Sequence, residues 1–193
     1  RAAGRGLWIG RPVEWPGSRP LSLEPEIGSD FGGLSEWPSE HVVKCLCFCH
    51  PNDAPQLWRA QEETILRLYN TCRRNRLEFL LEIIPSKVGP VDDDTAATVI
   101  RRFYDLGVYP DWWKLEPMTS EAGWQKACAA IRDADLAAAL PRLSCPVLCI
   151  TDAAKAYMTG DITPEAAVRQ MAERYSRLCA LWDDARRAGE KAA

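Results

Sequence analysis

Hydrophobic and polar residues change their pattern near position 42. From there, short apolar runs alternate with longer amphipathic stretches, which is typical of strands alternating with helices. The pattern predicts strands at about 42–49, 78–84, 111–116 and 145–150. It predicts helices at about 54–74, 93–106, 120–132 and 163–187, with a short helical piece at 152–159.

Three predicted helices start with an N-cap pair, in which a side chain that accepts a hydrogen bond precedes a residue suited to the first turn. The pairs are Asp53 with Pro55, Ser120 with Glu121, and Thr163 with Pro164. We expect each helix to begin at these residues.

The alternation of strands and helices predicts an α/β fold with a parallel sheet, either an open doubly wound sheet or part of a (β/α)8 barrel. A complete barrel takes roughly 200 to 250 residues, so residues 41–193 have room for only about four or five strands. We therefore predict a partial (β/α)8 TIM-barrel-like sheet with covering helices that lacks some strands. Residues 1–40 are rich in Pro and Gly and predict an arm with a short strand near Leu7 to Ile9.

Composition excludes several classes of function. The net charge is −3 and the 24 basic residues are spread along the chain, so we expect no nucleic-acid partner. No apolar run approaches the roughly 18 residues of a membrane span, and we expect no signal peptide. These features predict a cytoplasmic protein without a membrane partner.

The segment "VVKCLCFCHP" at 42–51 raises the question of a metal site. Side chains alternate across a strand, so Cys45, Cys47 and Cys49 share one face at intervals of about 6.6 Å. Thiolates on one zinc ion must lie within roughly 4 Å of one another. We therefore predict reduced cysteines that pack under a helix, and no metal.

Charged residues occur inside the apolar runs of three successive predicted strands. Within each strand, alternation places these charged residues on the other face from their apolar neighbours. Lys44 is on the other face from the cysteines, Glu82 from Phe79 and Leu81, and Lys114 from Trp113. If these faces point into a barrel, one pocket collects Lys44, Glu82, Lys114 and Glu116, with His50 and Asp53 at its rim. The alternatives are a structural ion-pair network, or solvated residues on the open face of an incomplete sheet.

A lysine in such a pocket has a known chemical use. Burial and a second nearby cation lower the pKa of an amine, and a neutral amine can form a Schiff base with a ketone. The protonated imine accepts electrons during carbon–carbon cleavage, while Glu82 or Glu116 could move protons. This is class I aldolase chemistry, which needs neither a metal nor a cofactor. A weaker alternative is a metalloenzyme that uses His50, Asp53 and Glu82.

Four stretches carry a family resemblance: "EWPSEHVVKCLCFCHPNDAPQLWRAQEE", "LEFLLEIIPSKVGPVDDDT", "LGVYPDWWKLEP" and "GDITPEAAVRQMAERYSRLCALWDDAR". They resemble the aldolase-like domain, classed as domain of unknown function 2090, at the carboxyl end of bacterial bifunctional 5-dehydro-2-deoxygluconokinase proteins of inositol catabolism. The opening "GLWIGRPVEWPGSRPL" resembles the segment before these strands. The resemblance covers about 1–135 and 151–188.

That domain is in turn similar to tagatose-1,6-bisphosphate aldolase, a class I (β/α)8 barrel. The resemblance implies that Lys114 is the nucleophile and that Lys44 and Glu82 match other pocket residues. It also implies cleavage of 2-deoxy-5-keto-gluconate 6-phosphate to dihydroxyacetone phosphate and malonate semialdehyde. The candidate catalytic residues are Lys114, Glu82, Lys44 and Glu116. The candidate substrate-binding residues are His50, Asp53, Arg11 and Glu14.

The chain departs from the family pattern in two places. Residues 136–150 contain no glycine and only Arg142 as a cation, so the glycine-rich phosphate-binding segment of the family is missing. The chain also begins at Arg1, in the middle of the pattern, so either further segments exist or the chain is a truncated product. A non-catalytic accessory domain is therefore the alternative function. Unpaired strand edges predict association with another copy, or with the amino-terminal kinase domain.

Overall fold

Five parallel strands and three α-helices make up the computed structural model, which describes residues 8–137, 147–149 and 163. The strands are β1 (Ile9–Pro12), β2 (His41–Cys47), β3 (Glu78–Ile83), β4 (Trp112–Leu115) and β5 (Val147–Cys149). The helices are α1 (Pro55–Asn75), α2 (Thr95–Asp105) and α3 (Glu121–Ala137). Short 3-10 helices occupy Pro25–Ile27, Gly32–Glu36 and Pro85–Lys87.

The four strands predicted from position 42 onward are confirmed, each within a few residues of its predicted ends. The first three predicted helices are also confirmed, although α3 continues to Ala137, beyond its predicted end. The predicted helices at 152–159 and, apart from Thr163, at 163–187 lie outside the described residues. The short strand near the start lies at Ile9–Pro12, slightly later than predicted.

Consecutive strands are neighbours throughout the sheet, in the order β1-β2-β3-β4-β5, and every pair is parallel. A doubly wound sheet reverses its strand order at a switch point, whereas a barrel adds each strand beside the previous one. The observed order is therefore that of a partial TIM-barrel-like sheet, and the predicted fold class is confirmed.

A single hydrophobic core joins one face of the sheet to the three helices. This face contributes every second residue of β2, β3 and β4, all at odd-numbered positions: Val43, Cys45, Cys47, Phe79, Leu81, Ile83, Trp113 and Leu115. The helix α1 contributes Trp58, Ile65, Leu68 and Cys72, which recur at helical spacing. The rings of Trp58, Phe103 and Trp113 are in successive contact, so α1, α2 and β4 share one aromatic layer.

The helix ends show how local sequence sets the boundaries. The helix α2 is followed by Gly107 at φ 86°, and the N–H of Val108 donates to the carbonyl of Phe103. This is the hydrogen bond of a Schellman motif, in which glycine takes the left-handed conformation at no steric cost. The helix α1 ends in the same way with Arg76 at φ 57°, although arginine tolerates that conformation less well.

The predicted N-caps have different outcomes. The Oγ atom of Ser120 accepts the N–H of Gly123 at 2.9 Å, as an N-cap side chain does. For α1 the prediction was wrong, because the N-cap residue is Ala54 and no side chain caps the helix. The carboxylate of Asp53 instead accepts the N–H of His50 at 2.9 Å and closes the turn after β2.

The Pro- and Gly-rich segment at 1–40 joins the sheet and core wherever it is described. Its strand β1 pairs with β2, from Ile9 opposite His41 to Pro12 opposite Lys44. Five of its apolar side chains are buried in the common core: Val13, Leu21, Ile27, Phe31 and Leu34. This long connection thus covers the edge of the core between β1 and β2.

Among the described residues, we find no helix that combines the length and the apolarity needed to cross a membrane.

Candidate functional site

The inner face of the sheet, opposite the helices, carries the charged residues. The register places Leu46, Glu82 and Lys114 side by side on three neighbouring strands, and places Lys44 beside Leu80. Because side chains of equal parity share a face, Lys44, Glu82 and Lys114 all point away from the helix-covered core. The prediction that the three residues share a face is therefore confirmed.

Glu82 is the centre of this arrangement. Its Oε1 atom lies 2.7 Å from Nζ of Lys114, and its Oε2 atom lies 2.7 Å from Nζ of Lys44. Only 3% of the Glu82 side chain is exposed. A buried carboxylate is stable as an ion only when it is paired, and here each of its oxygens has an ammonium partner.

A second carboxylate completes the group, since Oε1 of Glu14 lies 2.5 Å from Nζ of Lys44. Glu14 follows β1, and its backbone forms an antiparallel bridge with Leu23. We call Glu14, Lys44, Glu82 and Lys114 the lysine–glutamate cluster. Its two cations balance its two anions, and its side chains are between 3% and 25% exposed.

The environment of Lys44 favours its charged form. Burial alone would lower the pKa of Lys44, but the hydrogen bonds and charges of Glu14 and Glu82 outweigh burial and raise the pKa above its ordinary value. Lys44 is therefore a fixed cation within the cluster. Lys114 has Glu82 as its ion-pair partner among the described residues, and its side chain is the most exposed of the four, at 25%.

Glu116 follows β4 and does not pair with the lysines among the described residues. Its carboxylate accepts the N–H of Ser86 at 2.8 Å and also the hydroxyl of Ser86. Ser86 belongs to the 3-10 helix that follows β3, so Glu116 fixes the loop after that strand. The structure thus places this candidate beyond the carboxyl end of β4, hydrogen-bonded to a neighbouring loop.

His50 and Asp53 lie at the carboxyl edge of β2, where the sequence places them. The Nε2 atom of His50 donates to the carbonyl of Pro90 at 2.7 Å, and Nδ1 accepts the N–H of Asn52 at 3.1 Å, so this geometry fits the Nε2-protonated tautomer. Both ring nitrogens are therefore occupied. The ring borders a cavity of about 140 Å³ at the start of α2.

Asp53 forms an ion pair with Arg19, which also donates to the carbonyl of Phe48. Arg19 lies in the connection after β1, so this contact joins that connection to the edge of β2. Sequence reasoning missed Arg19, because nothing in its local pattern distinguishes it from a solvated arginine.

Arg11 lies on the opposite face of the sheet from the lysine–glutamate cluster. It pairs in register with Val43, which belongs to the helix-covered face. Its guanidinium stacks over the ring of Trp37 at 3.8 Å and lies 3.8 Å from Glu26. Glu14 and Arg11 are three positions apart, so alternation places their side chains on opposite faces of the sheet.

The cysteines of β2 lie in the core, as predicted. Cys45, Cys47 and Cys49 are fully buried and are not in disulfides. Burial raises the pKa of Cys45, while a hydrogen bond with Cys49, followed by burial, raises that of Cys47. These two thiols stay protonated at neutral pH, whereas metal ligands and nucleophiles are thiolates.

A metal centre would need several ligands close together. Among the side chains that the structure describes, those of residues 8–132 and 163, no three His, Cys, Asp or Glu residues are arranged to hold a metal ion. His50, Asp53 and Glu82 have the separate partners given above. The alternative hypothesis of a metalloenzyme built on these three residues therefore lacks a common site.

Comparison with known proteins gives one family. A family model described as an uncharacterized protein conserved in bacteria, DUF2090, matches residues 1–139. No curated protein matches the chain. The match ends before 151–188, the second stretch of the resemblance drawn from sequence. It nevertheless spans well over half of the 193 residues, and the chain therefore belongs to the DUF2090 family.

Proposed function

We propose that this chain is an aldolase-type lyase domain in which Lys114 forms a Schiff base with a ketone. The observation that carries the proposal is the 2.7 Å contact between Nζ of Lys114 and the buried carboxylate of Glu82, beside the second cation Lys44. An amine attacks a carbonyl only after losing its proton, and Glu82 lies within proton-transfer distance.

The residues of the cluster have different roles in the proposed reaction. Glu82 takes the proton of Lys114, and the neutral amine attacks the ketone carbon to form a carbinolamine. Glu82 then returns a proton to the leaving hydroxyl, so that water departs and an iminium ion remains. Lys44 stays charged and remains the partner of Glu82 while Lys114 is neutral.

Bond cleavage follows from the iminium ion. The bond between the α and β carbons breaks, its electron pair moves toward the iminium nitrogen, and the proton of the β-hydroxyl passes to a base. An aldehyde leaves and an enamine remains, which is protonated and then hydrolysed to release the second product. No electron acceptor outside the substrate is needed.

The resemblance drawn from sequence supports a particular substrate, 2-deoxy-5-keto-gluconate 6-phosphate of myo-inositol catabolism. Cleavage between its third and fourth carbons gives malonate semialdehyde and dihydroxyacetone phosphate, which together account for all of its atoms.

Borohydride trapping tests the proposal. Wild-type protein is incubated with saturating dihydroxyacetone phosphate, reduced, digested and mapped by mass spectrometry. The expected result is a covalent adduct on Lys114. In Lys114→Arg the adduct is absent although the charge is retained, whereas Lys126→Arg, which changes an exposed lysine paired with Asp94, keeps it. If the Lys114 peptide is unmodified at saturating dihydroxyacetone phosphate, the Schiff-base proposal is wrong.

Turnover of the keto sugar acid phosphate gives a second measurement. Glu82→Gln removes the proton acceptor while nearly preserving shape, and we expect its rate to fall by about 10²- to 10⁴-fold. Equal rates for wild type and Glu82→Gln would contradict the assigned role of Glu82.

A non-catalytic accessory domain is the second candidate. It is supported by the charge balance of the cluster, which also suits a structural ion-pair network, and by the absence of glycine from 136–150. This candidate predicts a folded protein that forms no ketone adduct and cleaves no ketose phosphate. Turnover that depends on Lys114 would eliminate it.

A further inference from the structure

Two lysines share one carboxylate on the inner face. Nζ of Lys44 and Nζ of Lys114 each lie 2.7 Å from a different oxygen of Glu82. Their distances to Glu82 therefore give no reason for one lysine, and not the other, to act as the nucleophile. The difference between them is Glu14, which pairs with Lys44 at 2.5 Å.

Glu14 depends on Lys44 for its stability inside the protein. Its side chain is only 10% exposed, and its Oε2 atom is buried with no hydrogen-bond partner among the described residues. The Oε1 atom, by contrast, bonds to Lys44. A buried carboxylate without a partner is unfavourable, so the ionised form of Glu14 requires Lys44 to remain an ammonium ion.

The consequences of losing a proton therefore differ between the two lysines. If Lys44 becomes neutral, Glu14 loses its cationic partner and Glu82 keeps only Lys114. If Lys114 becomes neutral, Glu82 keeps Lys44 and no carboxylate is left unpaired. The second change leaves the buried charges better compensated, and it leaves Lys114 as the free amine.

We propose that Glu14 is a positioning residue that selects Lys114 as the reactive amine by holding Lys44 in its charged form. This inference rests on the proposed Schiff-base function, and it assigns the choice of nucleophile to a residue that never contacts the reacting carbon. The raised pKa of Lys44, to which Glu14 contributes after burial, is consistent with it.

Glu14 is well placed to perform this role. The N–H of Val13 donates to the carbonyl of Lys44 at 3.0 Å, and the N–H of Trp15 donates to the carbonyl of Ser22 at 2.9 Å. The residues on both sides of Glu14 are therefore fixed by backbone hydrogen bonds, one of them to the strand that carries Lys44. A rigid backbone keeps the carboxylate within reach of one lysine only.

Reductive methylation with formaldehyde and cyanoborohydride tests the inference without any sugar ligand, because it modifies neutral amines. In wild-type protein, peptide mapping should show that Lys114 reacts faster than Lys44. In Glu14→Gln the ratio of the Lys114 rate to the Lys44 rate should fall by about tenfold or more, because Lys44 loses one of its two anionic partners and gives up its proton more readily. Lys126 serves as the internal reference for reagent and fold.

Three controls keep the test decisive. Glu14→Asp retains the charge and should restore most of the wild-type ratio. Glu26→Gln removes an exposed carboxylate of the same segment and should leave the ratio unchanged. An unchanged ratio in Glu14→Gln overturns the inference. A wild-type protein in which Lys44 reacts faster than Lys114 also overturns it, and this measurement does not depend on any variant folding.

Ketone trapping separates this inference from the proposed function. With dihydroxyacetone phosphate and borohydride, Glu14→Gln should move part of the adduct from Lys114 to Lys44. If wild-type protein forms no adduct on either lysine, the aldolase proposal fails, while the methylation ratio still reports on Glu14. If the adduct forms and stays entirely on Lys114 in Glu14→Gln, only the inference about Glu14 fails.

Discussion

The two faces of the sheet carry different kinds of side chain on the same strands. On the helix-covered face, Phe79 and Trp113 are fully buried among apolar side chains and thiols. On the inner face, Glu82 and Lys114, which are their near neighbours along the chain, form ion pairs. Burial of apolar area supplies most of the stability of a fold, whereas charged groups inside it are stable only when they are paired with one another.

One strand therefore carries buried core residues on one face and a cluster of paired charges on the other. Trp113 and Lys114 are adjacent in β4, yet one is fully buried and the side chain of the other is 25% exposed. Because the strand alternates its side chains, a change on one face leaves the other face largely intact. The three predictions that follow test this separation.

The largest effect is expected from Trp113→Ala on the helix-covered face. This change removes a fully buried ring that contacts Phe103 and donates to the hydroxyl of Tyr104 at 2.9 Å. We expect the free energy of unfolding to fall by about 3–5 kcal/mol, measured by chemical denaturation.

The matched control is Trp112→Ala, one position earlier and on the inner face. Trp112 is only partly buried and contacts the half-exposed Trp8. We expect this variant to lose less than half as much stability as Trp113→Ala. Equal losses for the two variants would contradict the division of the sheet into a core face and an open face.

A smaller effect is expected at the carboxyl edge, from Gly89→Ala. A Cβ atom on Gly89 would lie 2.7 Å from Cδ2 of His50, so the buried ring must shift, which disturbs its 2.7 Å hydrogen bond to Pro90. We expect a loss of about 1–3 kcal/mol in the free energy of unfolding. The nitrogen chemical shifts of His50 should change as well.

A double-mutant cycle checks the physical cause. In a His50→Ala background the ring is gone, so Gly89→Ala should have little further effect on stability. An undiminished loss in that background would show that the close approach to His50 is not the reason for glycine at this position.

The smallest effect concerns the inner face at alkaline pH. The pKa of Lys44 is raised above its ordinary value of 10.5, so the folded state keeps this proton to higher pH than the unfolded state. The resulting stabilisation is complete below 10.5 and is lost as pH rises through the folded-state pKa. Its slope is at most about 1.4 kcal/mol per pH unit.

The measurement compares unfolding free energies of wild type and Lys44→Met between about pH 9 and 12, a range that brackets the ordinary pKa of lysine. Other groups, tyrosine side chains among them, also ionise in this range, so the difference between the two slopes is the informative quantity. Wild type should lose stability more steeply than Lys44→Met. Parallel curves would mean that Lys44 is not held in its charged form.

Much of the fold was predictable because it depends on local patterns. Alternation in "LEFLLEIIP" separated Glu82 from Phe79 and Leu81, and the core and the ion pairs confirm that separation. The N-cap at Ser120 was predictable for the same reason, since its hydrogen bond lies within four residues. At Asp53 the same reasoning was wrong, because the carboxylate bonds to His50 and Arg19 instead.

The candidate site was predictable only in part. Lys44, Glu82 and Lys114 meet because neighbouring strands bring one face together. The pairing of Glu14 with Lys44 depends on the connection after β1, and the contact between Glu116 and Ser86 depends on the loop after β3. Neither loop conformation leaves a periodic signal in the sequence.

The sequence by itself determined which side chains share a face, because alternation is a property of each strand alone. Only the tertiary structure decided which charged groups are within reach of one another, since the register between strands and the course of the loops arise from contacts between distant segments. Lys44 therefore meets Glu14, thirty positions away, at 2.5 Å.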